Sequence, residues 1–162
     1  IEGHPDNAAP AAFGGFTIAT ADGFVRRLDP HRDLLPVALI PETVRLPTPE
    51  ARRALGTEVS REDAVFNLAH AALMVEAITR DPSLLLTAIR DHLHQQVRLS
   101  LVPAVLEVFR LVSGANVPVC VSGSGPSLLA FDSARYPVPD PGEGWRVLRL
   151  PVRAAGVEVV RH

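Results

Sequence analysis

The sequence predicts an α+β fold in which helices are grouped in the middle of the chain and mostly antiparallel strands follow them. Between residues 48 and 114, apolar residues recur at steps of three and four, punctuated by capping residues and prolines. From Val117 the pattern changes to short apolar runs separated by Ser, Gly and Pro. Strands and helices thus come in blocks and do not alternate one for one, which argues against a doubly wound parallel sheet.

Ala8 to Ala12 suits a short helix that Gly14-Gly15 would end, and Phe16 to Thr20 alternates apolar and polar as a strand does. Ala21-Asp22-Gly23 is turn chemistry, so Phe24 to Leu28 is expected to pair back as a hairpin. Pro36 to Pro41 is continuously apolar, as in a strand buried on both faces, and a lobe boundary is placed just before it. Thr48 with Pro49 predicts the start of a helix to about Leu55. Ser60 is expected to cap the longest helix and to bury a stripe of Val65, Leu68, Ala72, Val75 and Ile78. A helix over 82–92 follows, then one capped by Ser100 and ended near Gly114. Strands are predicted at 117–121, 128–131, 146–152 and 157–161, the first two flanking a Ser/Gly loop.

The 162 residues are 47% hydrophobic and 21% charged, which suits one core or two small lobes and excludes disorder. Net charge is -2 and no lysine is present, so extended nucleic-acid contact is not expected. The single Cys120 excludes an internal disulfide framework and a cysteine-rich zinc module. No apolar run approaches the roughly 20 residues of a membrane helix. The cytoplasm is the expected compartment, with no membrane partner. The chain opens without Met on a dense polar cluster and is expected to be a fragment.

That cluster, Glu2-Gly3-His4-Pro5-Asp6-Asn7, gathers an acid, an imidazole and an amide before a helix start, where it could cap or bind. The loop Ser122-Gly123-Ser124-Gly125-Pro126-Ser127 could let backbone N–H groups approach an anion, or could simply be a tight strand connection. It is no serine-hydrolase elbow, because Ser122 stands where Gly is needed before Ser124. It is no Walker loop either, for want of lysine. On a helix, His92 and His94 would point apart and share no metal, so no metal site is expected. His70 and Asn67 read as polar or hydrogen-bonded helix positions. Arg52 and Arg98 offer guanidinium forks for a carboxylate if the fold brings them together.

In order, Glu2 to Gly15, the Glu50-Ala51-Arg52 segment, Asp91-His-Leu-His-Gln-Gln-Val-Arg98 and Ser122 to Ser127 resemble the homoserine kinase family of the GHMP kinase superfamily, nearly end to end. The resemblance implies the end of an N-terminal lobe at 1–35 and a ferredoxin-like C-terminal lobe at 36–162. It implies ATP-dependent phosphorylation of the L-homoserine hydroxyl to O-phosphohomoserine, a step of threonine biosynthesis. By similarity, Asn7 would lie near the accepting hydroxyl, and His4 and Asp6 would shape the amino-acid pocket. Arg52 and Arg98 would hold the carboxylate, and Ser122, Gly123, Ser124 and Gly125 would border the phosphates. Asn7 cannot act as a base, which leaves His4 as the only nearby candidate.

Gln96 and Val97 depart from the Pro-Tyr that the family resemblance leads one to expect before Arg98. The family's glycine-rich phosphate loop and magnesium-binding Glu would belong upstream of the first motif. The chain alone is therefore expected not to turn over ATP, with ATP and Mg2+ bound mainly by upstream elements. Two alternatives stay open: a catalytically silent amino-acid-binding or protein-interaction module, and a GHMP kinase for another small alcohol such as mevalonate. Loss of partnering strands would favour self-pairing, and a homodimer is an open alternative to a monomer.

Overall fold

A computed structural model describes residues 5–158. Helix α1 (Ala8–Phe13) precedes strands β1 (Phe16–Ala19) and β2 (Val25–Leu28), which pair antiparallel as a separate two-stranded sheet. Next come β3 (Leu35–Pro41), α2 (Thr48–Arg53), α3 (Arg61–Thr79), a 3-10 turn at Pro82–Leu84, α4 (Leu85–Ala88), α5 (Gln95–Ser100) and α6 (Pro103–Gly114). Strands β4 (Val119–Val121), β5 (Leu128–Asp132) and β6 (Trp145–Arg149) complete the elements. No described helix is long and apolar enough to cross a membrane.

The larger sheet runs β4-β5-β3-β6 with every pair antiparallel, which is the split strand order of a ferredoxin-like layer. Alternation along the strands places Val37, Leu39, Val119, Val121, Leu128 and Ala130 on one face. That face is closed by Leu99, Val105, Val108 and Val112 from α5 and α6. The other row meets α3 and α4 at the β5 side, where Phe131 packs beside Leu34, Ala77, Leu85 and Ala88.

Strands β5 and β6 both run antiparallel to β3 and hence parallel to each other, an arrangement that usually takes a crossover helix. Here the twelve residues 133–144 make the crossing without one. Pro137, Pro139 and Pro141 fix alternate φ angles and force the residues before them into extended backbone, so the segment is a strap. Val138 fastens it: the side chain is buried in the main core, and the amide donates to Asp132 Oδ1 at 2.9 Å. The alternating prolines carried that signal, and the sequence reading did not use it.

Several expected elements shift. The 117–121, 128–131 and 146–152 strands appear as 119–121, 128–132 and 145–149. Residues 157 and 158 are not in a strand, and the rest of the expected 157–161 strand lies outside the described residues. The tail instead returns to α1: Gly15 N donates to Arg153 O, and Gly156 comes so near Ala12 that an added Cβ would stand 1.8 Å from its carbonyl oxygen. Thr48 does not cap α2; Pro47 occupies the cap position, and the Thr48 hydroxyl turns to Ser124 instead.

The expected 82–92 helix stops after Ala88, because Asn67 and Asp91 take up the backbone that would have continued it. Ser100 is the last residue of α5, bonded back to Val97 O, and Val102 stands at the cap position of α6. Ser60 does cap α3, accepting from Asp63 N at 3.0 Å. The stripe predicted for α3 is largely on the wrong side: Val65 and Leu68 are 60% and 72% exposed and Ala72 is exposed. The inward face instead carries Phe66, Asn67, His70, Met74 and Ala77, where Asn67 bonds to Asp91 and His70 to the Phe66 carbonyl of its own helix.

Candidate functional site

The bend that ends α4 is organised by one carboxylate. Asp91 Oδ1 accepts from the amides of His94 and Gln95, both at 2.7 Å, and so satisfies the free N–H groups at the start of α5. Its other oxygen accepts from Asn67 Nδ2 at 2.7 Å and faces His94 Nε2 at 3.4 Å. Asn67 Oδ1 in turn accepts from the His92 amide at 2.9 Å. His92 and His94 therefore lie in a loop and at its junction with α5, not on one helix, which corrects the geometry assumed for them. Around Phe66 the rings of His70 and His92 stack on either face, with centroids 3.8 and 3.6 Å away.

One turn into α5, Arg98 extends this network to the Ser/Gly loop. Its Nη1 donates to Gly123 O and lies 3.4 Å from His94 Nδ1. With Nε2 towards Asp91, the His94 proton belongs on Nε2, and Nδ1 is left to accept from the guanidinium. Buried Gln95 secures the other side of the loop, its Oε1 accepting from Val121 N at 3.1 Å. Within the loop, Ser122 N donates to Ser127 O and Gly125 N to Ser122 O, with a cis bond between Gly125 and Pro126. Gly123 and Gly125 have φ of 56° and 80°, which residues with a side chain rarely adopt.

Helix α2 meets the same loop through Thr48 Oγ1 and Ser124 Oγ, 3.2 Å apart. This brings exposed Arg52 close enough for its charge to be felt at Arg98. Partial burial lowers the Arg98 guanidinium from its ordinary value, Asp91 opposes that, and Arg52 adds a like-charge repulsion. Arg98 Nε is buried and, among the described residues, has no hydrogen-bond partner. An apolar cavity of about 300 Å3 flanks the loop, lined by Val44, Leu46, Pro47, Pro126 and Ser127 among others. A larger cleft, about 490 Å3 between Leu35, Leu86, Pro118, Phe131 and Tyr136, shares no residue with this region.

The structure thus gathers Arg52, Arg98 and the loop residues Ser122, Gly123, Ser124 and Gly125. Asp6 and Asn7 are exposed in the turn before α1, and the Asp6 side chain accepts only from the Asn7 amide. Asn7 stands at the cap position without a side-chain capping bond. His4 lies outside the described residues. Asp91, His94, Gln95 and Asn67 are site-building residues that the sequence reading left as ordinary polar positions. The spacing of Asp91 three and four residues before His94 and Gln95, a capping signature, could have found the first. Among the described residues no group of three His, Cys, Asp or Glu side chains is placed to hold a metal.

Burial depresses the His94 imidazole, and Arg98 adds to this against the pull of Asp91. For Asp91 burial works upward, but the amides of His94 and Gln95, the Asn67 amide and His94 outweigh it and hold the carboxyl below its usual range. Burial, with Asp91 nearby, pushes the Cys120 thiol up to about 12, so it is an inert packing group. Both shifts in the network destabilise the fold on acidification. As pH falls below 6.5, the unfolded chain takes up the proton that folded His94 resists; below 3.8 the unfolded chain protonates the carboxyl that Asp91 keeps ionised. Melting temperature should therefore decline from pH 6.5 downward. In a His94→Gln chain the decline just below 6.5 should shrink, and an unchanged slope would refute the assignment.

No protein-family model matches the chain. The homoserine kinase of Streptomyces avermitilis is 39% identical over 166 residues, covering 99% of this chain and 54% of that protein. The homoserine kinase of Clavibacter michiganensis is 41% identical over 146 residues, with 88% of this chain and 44% of that protein covered. Among solved structures, the crystal structure of homoserine kinase from Cytophaga hutchinsonii superposes with a TM-score of 0.74 at 28% identity, over 79% of this chain and 42% of that one. The chain spans about half the length of the curated relatives it matches. In sequence over nearly its whole length, and in fold over most of it, the chain is a homologue of the homoserine kinases.

Proposed function

We propose that the chain carries the carboxylate-binding side of a homoserine kinase, an ATP-dependent phosphotransferase acting on L-homoserine in threonine biosynthesis. The observation that carries this reading is Arg98, bonded to the Ser/Gly loop through Gly123 O, with its buried Nε left without a partner among the described residues and the helix that carries Arg52 joined to the same loop through Thr48 and Ser124. A buried N–H without an acceptor beside a second guanidinium is what a carboxylate satisfies. Homology to homoserine kinases supports the substrate, and the reading carries with it a cytoplasmic setting and lobes at 1–35 and 36–162.

ATP supplies the phosphoryl group when bound; the residues of this chain bind and orient the acceptor. Transfer to the homoserine hydroxyl forms a bond to the γ-phosphorus as the bond to ADP breaks, and it rewards positioning and charge neutralisation more than covalent participation. With no lysine in the chain, arginine provides that neutralisation here. Among the described residues no hydrogen bond engages the amides of Gly123 and Ser124, so they fit the edge of a phosphate site. The described residues offer no comparable ligand set for Mg2+. His4, Asp6 and Asn7 belong to this reading as the hydroxyl-end residues.

Titration calorimetry with L-homoserine tests the arginine pair directly. Binding is expected to weaken by roughly 30-fold or more in Arg98→Ala, as for loss of a charged hydrogen-bonding partner. Equal affinity of both chains would sink the assignment. Binding of homoserine without any phosphoryl transfer in the presence of ATP would favour the silent amino-acid-binding module.

A further inference from the structure

The Arg98 guanidinium is held at one corner. Its Nη1 carries two hydrogens and faces two acceptors, the Gly123 carbonyl, to which it donates, and His94 Nδ1 at 3.4 Å. Among the described residues only Nη1 is bonded, and Nε is buried without a partner. With Nη1 spent, the open edge of the fork is Nε with Nη2, which offers two parallel N–H groups to a carboxylate. His94 is itself held from behind. It stands just before α5, four residues ahead of Arg98, so the two side chains share one face. Asp91 grips it twice: Oδ1 accepts from its amide at 2.7 Å, and Oδ2 faces ring Nε2 at 3.4 Å. A carboxylate at Nε2 keeps the proton there and leaves Nδ1 as a bare acceptor.

We propose that His94 is a positioning residue for homoserine: its neutral ring, fixed by Asp91, pins Arg98 Nη1 so that the Nε–Nη2 edge meets the substrate carboxylate. The inference rests on the carboxylate-binding reading of Arg98 and predicts a loss of affinity in acid. Protonated His94 turns an N–H towards a guanidinium that has only N–H groups to offer, so one of the two pins is lost. Burial lowers the titration of this ring from its ordinary 6.5, with Asp91 opposing and Arg98 adding to it. Across a cavity of about 220 Å3 the ring also shares its surroundings with His70 of α3, Arg90 of the turn after α4 and Cys120 of β4. His70 is already bonded to the Phe66 carbonyl, the Cys120 thiol at about 12 stays protonated, and Arg90 stays charged, so none of them replaces His94 as the group that changes.

Titration calorimetry with L-homoserine between about pH 5 and 7 tests this, a range in which neither charged end of the ligand titrates. Proton–nitrogen NMR of the imidazoles should show the Nε2–H tautomer of His94 at neutrality, and affinity should fall as that ring takes up its second proton. His94→Leu removes the acceptor and should bind about 5-fold more weakly at neutral pH, the worth of one ordinary hydrogen bond. His94→Asn sets an amide oxygen near the place of Nδ1; it should recover most of that loss and flatten the acid limb, which separates His94 from every other histidine. Should His94→Leu fail to fold, the His94→Asn profile and the tautomer decide. The proposal alone is overturned if Arg98→Ala weakens binding while His94→Asn keeps the acid limb, while affinity stays level or rises as His94 charges, or while the ring is the Nδ1–H tautomer. A chain that does not bind homoserine, or that binds it equally as Arg98→Ala, overturns the arginine reading and this one with it.

Discussion

Replacing Asp91 by alanine is expected to cost about 2–4 kcal/mol of folding stability, the sum of a lost helix cap and charged hydrogen bonds without replacement. Four groups lose their acceptor or counter-charge at once: the His94 and Gln95 amides, Asn67 Nδ2 and the His94 ring. The side chain is only 12% exposed, so water compensates little. In a domain of this size the loss corresponds to roughly 5–15 °C in melting temperature. Asp91→Asn keeps an acceptor for the two backbone amides and should lose about half as much. If alanine and asparagine cost the same, charge and not capping holds this bend. A fall of under ~0.5 kcal/mol for alanine would show that the network does not form. Because Asp91 pulls the His94 imidazole up against its burial, either variant should depress His94 further, which proton NMR of the imidazole can follow.

Leu39→Ala should be the most costly apolar truncation in the chain, at about 3–4 kcal/mol. Leu39 is wholly buried in β3, the strand hydrogen-bonded on both sides by β5 and β6, opposite Leu128 and Val147. Its side chain lies in the core closed by α5 and α6, whose backbones are held by their own bonds and cannot collapse into the gap. Urea denaturation should show a lower midpoint with an unchanged slope. Leu35→Ala on the same strand, 53% exposed, should change stability by less than ~0.5 kcal/mol. Equal losses at the two positions would contradict the assigned burial.

Local chemistry made much of this fold legible. Gly14-Gly15 ends α1, the Asp22-Gly23 turn joins β1 to β2, Pro49 lies in the first turn of α2, and Ser60 caps α3, all from interactions within a few residues. The errors share one origin, contacts between residues far apart in sequence. Asn67 reaches 24 residues to Asp91, and their bonds divert a segment whose own periodicity is helical. On α3 two apolar faces compete, and periodicity cannot say which is turned inward; the face with Asn67 took the interior, where both ends of its amide are bonded to the segment around Asp91. The arginine pair was legible as residue types, but its convergence depended on the Thr48–Ser124 and Arg98–Gly123 contacts, which join separate elements through one loop. The amino-terminal cluster was equally visible as residue types; of it, Asp6 and Asn7 form an exposed turn before α1.

The strap over residues 133–144 makes the β6 edge of the sheet unusually easy to replace. Its order comes from the Val138 rivet, from the stiffness of its rings and from two short local bonds, Tyr136 N to Ser133 Oγ and Gly142 N to Asp140 Oδ1. Folding β6 onto β3 then asks for no helix nucleation, only for that rivet to seat. Relatives could lengthen, shorten or helicise this connection without disturbing the hairpin of β4 and β5 or the loop between them, which keeps evolutionary tinkering at one edge of the molecule separate from the chemistry at the other.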